Sequence, residues 1–472
     1  MKGCSDMRLL CISLCLALIL CGTAPVCQAE DGEILGSEAA ENAAPVSEPR
    51  LEYDKSKMRL ISAVMSMASY EGDMNVLVRN LLAEGGWTVN QYVENNAMAD
   101  AQCFLFQRNS EGGEESISIL AVTGTQSKKD AEVDLRVHRI PFGGGVPAEF
   151  RQTANRKDLG ESFPLVHQGF ENHTWTALFV KPIESFDGLT LGEYLAKQLK
   201  ENPREKLYLT GHSLGGAVAV LAAARLSDMG VPAEQLEVIS FGAPAIGNQA
   251  FASTYENRFA LENVGMEGDP VKGILQAVAA GYVQFGKKVD LPHEKSKERF
   301  PHEMIYYVDG AIRSYCNAKK AAGMPEDSAF YLMQKPTIQA KIYIAPLQSS
   351  VDESLRETLP YFEILRKEIF AADIADPVFG EKAGNLEETC AMAKAAGCDY
   401  VLIQQMEGAR LKYEKEGRIL TMDELLYDTD GNLLGMNSSM ATTKEMTALE
   451  AEISVLQSGQ ELRLESLRSV KS

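Results

Sequence analysis

LYLTGHSLGGAVAVLAAARL, residues 207–226, is the stretch whose reading decides the rest. A short apolar run at 207–209 meets Gly211-His212-Ser213-Leu214-Gly215, and an Ala- and Leu-rich stretch then continues to Leu226. The order is strand, sharp turn, helix. A serine that attacks an ester needs such a turn, because it lifts the hydroxyl clear of the backbone and only glycine leaves room at the flanking positions. The helix N-terminus beneath it carries partial positive charge, which favours the oxyanion that forms. The plain alternative is a Gly-rich turn with Ser213 as an ordinary helix N-cap. A bare G-x-S-x-G is a weak signal; the same five residues between a strand and a helix are a strong one.

Outward from this stretch the pattern alternates. Strands are expected over 206–209 and 236–241, with a helix over 214–227 between them. Residues 101–108 and 116–123 read as a strand pair around Gly112-Gly113, and 56–85 as a helix ended by Gly85-Gly86. Strand–helix–strand order implies a mainly parallel sheet covered by helices, an α/β fold. A smaller α/β or α+β domain begins near Pro336, with strands over 341–345 and 399–404 and helices over 361–371 and 386–397. A hairpin over 419–434 around Asp430-Gly431 and a Glu/Leu-rich helical tail after Thr443 complete it. The expected division is a leader at 1–29, an acidic linker at 30–50, a catalytic domain at 51–335 and an accessory domain at 336–472.

Composition bounds the function. The chain has 472 residues, 45% apolar and 24% charged, which suits two or three globular domains. A formal charge of −20 argues against nucleic acid as a partner and gives no attraction to an anionic membrane surface. Lys2 and Arg8 followed by an apolar core from Leu9 to Leu20, with Cys27 and Ala29 at the −3 and −1 positions, form a secretory leader cleaved after Ala29. That core is shorter than the roughly 20 residues a membrane span needs. The alternatives are an uncleaved anchor, or a lipid-attached Cys21 or Cys27, for which Leu20 and Val26 are poor preceding residues. A secreted or periplasmic, envelope-side location follows. Cleavage reduces nine cysteines to Cys103, Cys316, Cys390 and Cys398, enough for one bridge but not for a disulfide scaffold. No C-x-x-C pair suggests a metal site, and the chemistry needs no cofactor.

GHSLGGAVAVLAA resembles the nucleophile turn of the class 3 lipases, the fungal-lipase-like branch of the α/β-hydrolases. Further segments are similar in the same order. VTGTQS (122–127) resembles the family's oxyanion strand end, with Thr123 where an Arg often stands. VHQGF (166–170) resembles its H-x-G-F element, SFGAPAIGNQAF (240–251) its FG-[SA]-P-x-x-G-N segment, and His302 before Tyr306 and Tyr307 its late histidine. The likeness covers roughly 56–315. It implies an α/β-hydrolase fold and cleavage of carboxylic esters, often acylglycerols or phospholipids, with transient contact at a lipid surface.

A serine hydroxyl needs a base, and the base an orienting acid. The chain order Ser, acid, His leaves only His293 and His302 of the six histidines. His302 leads into the apolar run MIYYVDG, whereas His293 lies in the charged LPHEKSKER, so His302 is the better base. Asp269, in GMEGDPV, follows a stretch that would end at the carboxyl edge of the sheet and is the preferred acid. Its plain reading is a turn-forming Asp-Pro. Asp228 lies at the wrong end of the nucleophile helix, and Asp290 and Glu267 are weaker. The backbone N–H of Leu214 and Thr125 are the expected oxyanion donors. His167 precedes the nucleophile and reads as a structural histidine, as does the Asp134 carboxylate.

The stretch 138–165, where the resemblance puts a lid, is polar and without a clear amphipathic helix, while 272–286 is apolar and reads equally as an acyl-pocket wall or a buried helix. DTDGN (428–432) fits a hairpin turn better than a calcium loop. The function expected is a lipase or esterase working through an acyl-enzyme. Its rivals are an acyltransferase and an envelope interaction protein on an inactive hydrolase scaffold.

Overall fold

The structure, a computed structural model, describes residues 47–70, 87–108, 117–124, 138–271, 281–292, 301–325, 338–412, 417–444 and 446–469. The leader, most of the linker, Thr125, Asp134 and His293 lie outside the described residues. The described chain falls into two compact units, one of 59–311 and one of 47–58 with 312–469.

The first unit is built on a seven-stranded sheet in the order β1 (Trp87–Asn95), β2 (Asp100–Arg108), β3 (Ile117–Val122), β4 (Lys206–His212), β5 (Leu236–Phe241), β6 (Ala260–Met266) and β7 (Lys287–Leu291). The first three strands are mutually antiparallel, with Cys103 opposite Val122, and every later junction is parallel. This is the mostly parallel, helix-flanked sheet the alternation implied. β4 is buried from Leu207 to His212, as a strand covered on both faces must be, and that is why its run is apolar rather than alternating.

Helices fill the crossovers. α1 (Glu48–Ala68) precedes the sheet; α2 (Gln168–Phe179) and α3 (Leu191–Glu201) lie between β3 and β4. α4 (Leu214–Asp228) joins β4 to β5, α5 (Gln249–Tyr255) joins β5 to β6, and α6 (Met304–Ala321) follows β7. α1 starts inside the stretch read as a linker, since residues 48–50 are already helical. Every residue of α4 from Leu214 to Leu226 is buried, which explains its small and aliphatic composition. The one charge within that buried stretch, Arg225, is held 2.5 Å from Glu171 of α2, with its guanidinium 3.6 Å from the Phe142 ring centre and 4.1 Å from that of Phe150. A second buried pair, Arg59 to Glu262 at 2.6 Å, fastens α1 to β6.

The polar stretch 138–165 departs from expectation, for it contains a helix, Pro147–Ala154. Only Phe150 of that helix is buried, so eight residues offer too little apolar periodicity to read.

The second unit has its own sheet. In chain order its strands are β8 (Ile338–Ile344), β9 (Gln348–Ser350), β10 (Ile374–Phe379), β11 (Tyr400–Arg410), β12 (Arg418–Asp428) and β13 (Leu433–Thr442). They are arranged β10-β8-β11-β12-β13, with β9 beside β11. α7 (Leu359–Asp373) and α8 (Leu386–Ala395) make the crossovers, and α9 (Ala448–Ser458) and α10 (Gln460–Ser469) follow. The turn between β12 and β13 is closed by the Asp428 carboxylate, which accepts from the backbone N–H of Asp430 and Asn432, both at 2.9 Å. Gly431 has φ +87° there, so DTDGN is the hairpin turn expected. Cys103, Cys316, Cys390 and Cys398 are all buried and unbridged.

Candidate active site

β4 ends at His212 and α4 begins at Leu214, so Ser213 alone makes the reversal. Its φ of 57° and ψ of −123° are sterically costly for a residue with a Cβ, by about 1–3 kcal/mol. Among the described residues only Asp187 is another non-glycine at positive φ. The strain is held by neighbours: the Ser213 N–H donates to the Phe241 carbonyl at 2.9 Å, and its own carbonyl accepts from Ala217. The plain N-cap reading fails here, because the Ser213 side chain makes no cap hydrogen bond.

The flanking glycines answer to space. A Cβ on Gly211 would lie 2.4 Å from the Gly215 carbonyl carbon, and one on Gly215 would lie 2.3 Å from the Val122 carbonyl oxygen. Helix α4 can therefore start directly behind the strand and against the end of β3 only if both residues lack side chains. This contact brings the α4 N-terminus, with buried Leu214, to the segment Thr123–Gly124 that leads to Thr125.

β6 leads to Asp269, the expected acid. Three residues beyond its end, Asp269 is buried, and its Oδ1 accepts from the Val271 N–H at 2.8 Å. Oδ2 meets His302 Nδ1 at 2.8 Å and also accepts from the Tyr307 hydroxyl on α6. Burial pushes the Asp269 carboxyl up, but the bonds from His302, Tyr307 and Val271 outweigh it and hold the group below the usual carboxylate range. Tyr307 moves the other way, because burial and then the Asp269 charge both resist its ionisation. The rival carboxylates are placed differently: Glu267 and Asp290 are exposed, and Asp228 is engaged by Tyr255 at 2.8 Å and Arg258 at 3.0 Å.

Ser213, Gly242 and Asp269 follow β4, β5 and β6 at their carboxyl ends, the edge at which parallel α/β sheets gather their chemistry. Gly242 was not legible as a site residue. At φ +57° it packs so closely that a Cβ would sit 2.8 Å from Tyr307 Oη, 3.0 Å from Asp269 Oδ2 and 3.0 Å from His302 Cε1. His212 was missed as well. Its ring lies 4.5 Å from that of His302, tilted 35°, and 5.6 Å from that of Tyr307. Burial, and then the nearby His302, pull His212 down to about 3, so it is neutral at physiological pH.

The arrangement can do one kind of chemistry well. A histidine whose Nδ1 is tied to a buried, ionised carboxylate is fixed in one tautomer, leaving Nε2 to accept a proton. Ser213 stands on a strained turn at a helix N-terminus, next in the chain to His212, whose ring lies 4.5 Å from that of His302. His167 has a different part: it is the N-cap of α2, its Nδ1 accepts from the Phe170 N–H at 3.3 Å, and its ring stacks on Phe170 at 4.0 Å. Burial pulls His167 down to about 4.

Comparison with known proteins agrees with the likeness read from the motifs. Residues 119–276 match the family model of the class 3 lipases. Secreted mono- and diacylglycerol lipase 1 of Fusarium solani is 32% identical over 116 residues, which cover 25% of this chain and 34% of that protein. The chloroplastic phospholipase A(1) DAD1 of Arabidopsis thaliana is 34% identical over 99 residues, 21% of each chain. The solved structure of a fungal lipase–inhibitor complex shares 20% identity over 52% of this chain and 81% of that one, with a TM-score of 0.39. The chain thus spans about a third or less of the length of these curated relatives.

Proposed function

We propose that this chain is a serine ester hydrolase of the lipase or esterase type, with Ser213 as nucleophile, His302 as base and Asp269 as acid. The observation that supports it most is the 2.8 Å contact of Asp269 with His302 at the sheet edge where a serine is held at positive φ. Either half alone has a structural explanation; together they make the paired requirement of a nucleophile and an oriented base.

In the reaction, Ser213 Oγ bonds to the ester carbonyl carbon while its proton passes to His302 Nε2. The carbonyl oxygen takes the negative charge and is stabilised by the Leu214 N–H and by Thr125. The C–O bond to the alcohol then breaks, and His302 returns the proton to the departing oxygen. Water repeats the sequence on the acyl-serine, giving the free acid and restoring Ser213. Asp269 stays ionised throughout and stabilises the imidazolium. Each oxyanion donor contributes about a hundred- to a thousandfold in rate.

Lipid esters are the favoured substrates, because the similar proteins are named as mono- and diacylglycerol lipases and a phospholipase A(1). Export through the leader at 1–29 fits the secreted relatives. The catalytic unit is the compact one of 59–311, narrower than the span 51–335 read from the sequence, and 336–472 is an accessory region whose role the motifs do not assign.

The test is fluorophosphonate labelling of the whole protein beside Ser213→Ala, with turnover of short- and long-chain p-nitrophenyl esters. Labelling and turnover should both vanish in the variant. A folded wild-type protein that takes no label would refute the reading.

A further inference from the structure

We propose that Tyr70 is a positioning residue for the reaction above: its phenol fixes the His212 ring as the surface against which the His302 imidazole is held. This rests on the hydrolase reading and adds a residue that lies far from the motifs in sequence.

A base tied at Nδ1 alone can still pivot about that one bond. Two neighbours restrain the His302 ring: Gly242, packed against Cε1, and the His212 ring at 4.5 Å. His212 can restrain another ring only if it is itself restrained. The Tyr70 hydroxyl lies 2.8 Å from His212 Nδ1 and 3.4 Å from the His212 carbonyl oxygen, so one phenol holds both the side chain and the backbone of the residue before Ser213. The two rings meet edge to face at 5.8 Å. The same hydroxyl stands 2.0 Å from where a Cβ on Gly124 would be, which places it at the exit of β3 as well.

Tyr70 is itself rigidly delivered. It lies two residues beyond the end of α1, and the last turn of α1 and Ser69 are fastened to the sheet by buried polar contacts. Ser66 meets Thr210 of β4 at 3.0 Å, and the Ser69 carbonyl accepts from Gln102 of β2 at 3.2 Å and from Thr123 at 3.0 Å. The chain thus spends several buried hydrogen bonds on the placement of this residue.

The protonation state matters too. Proton transfer from Ser213 puts a positive charge on His302, and a charged His212 at 4.5 Å would oppose it. The groups facing His212 are Tyr70, His302, Asp269 and Tyr307. Burial keeps the His212 ring neutral, and the Tyr70 hydroxyl at Nδ1 holds that neutral ring in place.

The experiment measures fluorophosphonate labelling rates, and kcat and KM on a p-nitrophenyl ester. It compares the full-length wild type with Tyr70→Phe, His212→Phe and the double variant. Tyr70→Phe should slow kcat and labelling by about ten- to a hundredfold, the range expected when a catalytic group is misplaced by up to an ångström, with KM within about twofold. The double variant should be no slower than His212→Phe, because Tyr70 acts through that ring. Wild-type rates in Tyr70→Phe, or multiplicative losses in the double variant, would overturn the proposal and leave the hydrolase reading intact. An unlabelled wild type removes both. In case Tyr70→Phe loses its cooperative thermal transition, nitrogen-15 histidine NMR of the unmutated protein decides. His212 should show one fixed tautomer, as a ring held at Nδ1 by the phenol does, and exchange between the two tautomers overturns the role assigned to Tyr70.

Discussion

Replacing Gly242 by alanine should cripple the site while leaving the fold in place. The added methyl would lie 2.8 Å from Tyr307 Oη and 3.0 Å from both Asp269 Oδ2 and His302 Cε1. Those separations are about 0.4–0.6 Å short of ordinary contact at 3.4 Å. The backbone cannot swing away, because the Gly242 N–H donates to the Val264 carbonyl at 2.9 Å and the preceding Phe241 carbonyl accepts from Ser213. Asp269 and His302 must therefore move. Holding alanine at φ +57° costs about 1–2 kcal/mol, which for a unit of this size lowers the melting temperature by a few degrees. The chemical cost is larger: shifts of this order at the reacting groups lower kcat by about ten- to a hundredfold, with KM little changed. Steady-state turnover of a p-nitrophenyl ester, read beside the calorimetric melting temperature, separates the two effects. Undiminished kcat in a folded Gly242→Ala protein would mean that Asp269 and His302 are not the working pair.

Four further outcomes follow from the same geometry. Ser213→Gly should abolish turnover yet raise the unfolding free energy by about 1–3 kcal/mol, since glycine removes the strain at φ 57°; thermal unfolding checks this. Tyr307→Phe removes one donor from Asp269 Oδ2, so the carboxylate becomes more basic and the acid limb of kcat/KM moves to higher pH, as a pH–rate profile would reveal. Glu262 lies below its ordinary range because Arg59 and Lys287 outweigh the upward push of burial. Its contribution to stability is complete above about pH 4.5 and is lost as pH falls through the lower folded value, so denaturant titrations of Glu262→Gln and wild type should converge in acid. Arg225→Met leaves Glu171 buried without its partner and should cost about 3–5 kcal/mol by chemical denaturation, with Glu171→Gln in the same chain restoring part of it.

Much of the fold was legible because it rests on local rules. Leu207–Thr210 is apolar without alternation, and a strand buried on both faces has to be. Gly211 and Gly215 stand where the backbone of α4 meets itself and β3, and no other residue fits. Boundaries were less legible. β11 and β12 run to eleven residues each, well past the apolar cores that announced them, because pairing between neighbours carries strands through polar residues such as Glu407 and Asp423. The helix at Pro147–Ala154 was missed, since only Phe150 of its eight residues faces inward.

Within the site the division runs along a physical line. Ser213, Asp269 and His302 could be proposed from the sequence because chain order and residue type restrict a nucleophile, an acid and a base to few positions. The parts that hold them are not restricted in that way. Tyr307 stood in view as one of two aromatics after His302, and nothing in MIYY distinguishes the phenol that reaches Asp269 from its neighbour; the phase of α6 decides it. Gly242 is one of 38 glycines, and its importance comes from what stands against it. Tyr70 reaches His212 only because Arg59, Ser66 and Ser69 fasten α1 across the sheet. A reactive group is chosen by its chemistry, which a sequence records at one position. A supporting group is chosen by distance, which depends on every turn of chain between the two residues, and such a residue becomes visible only when those turns are in place.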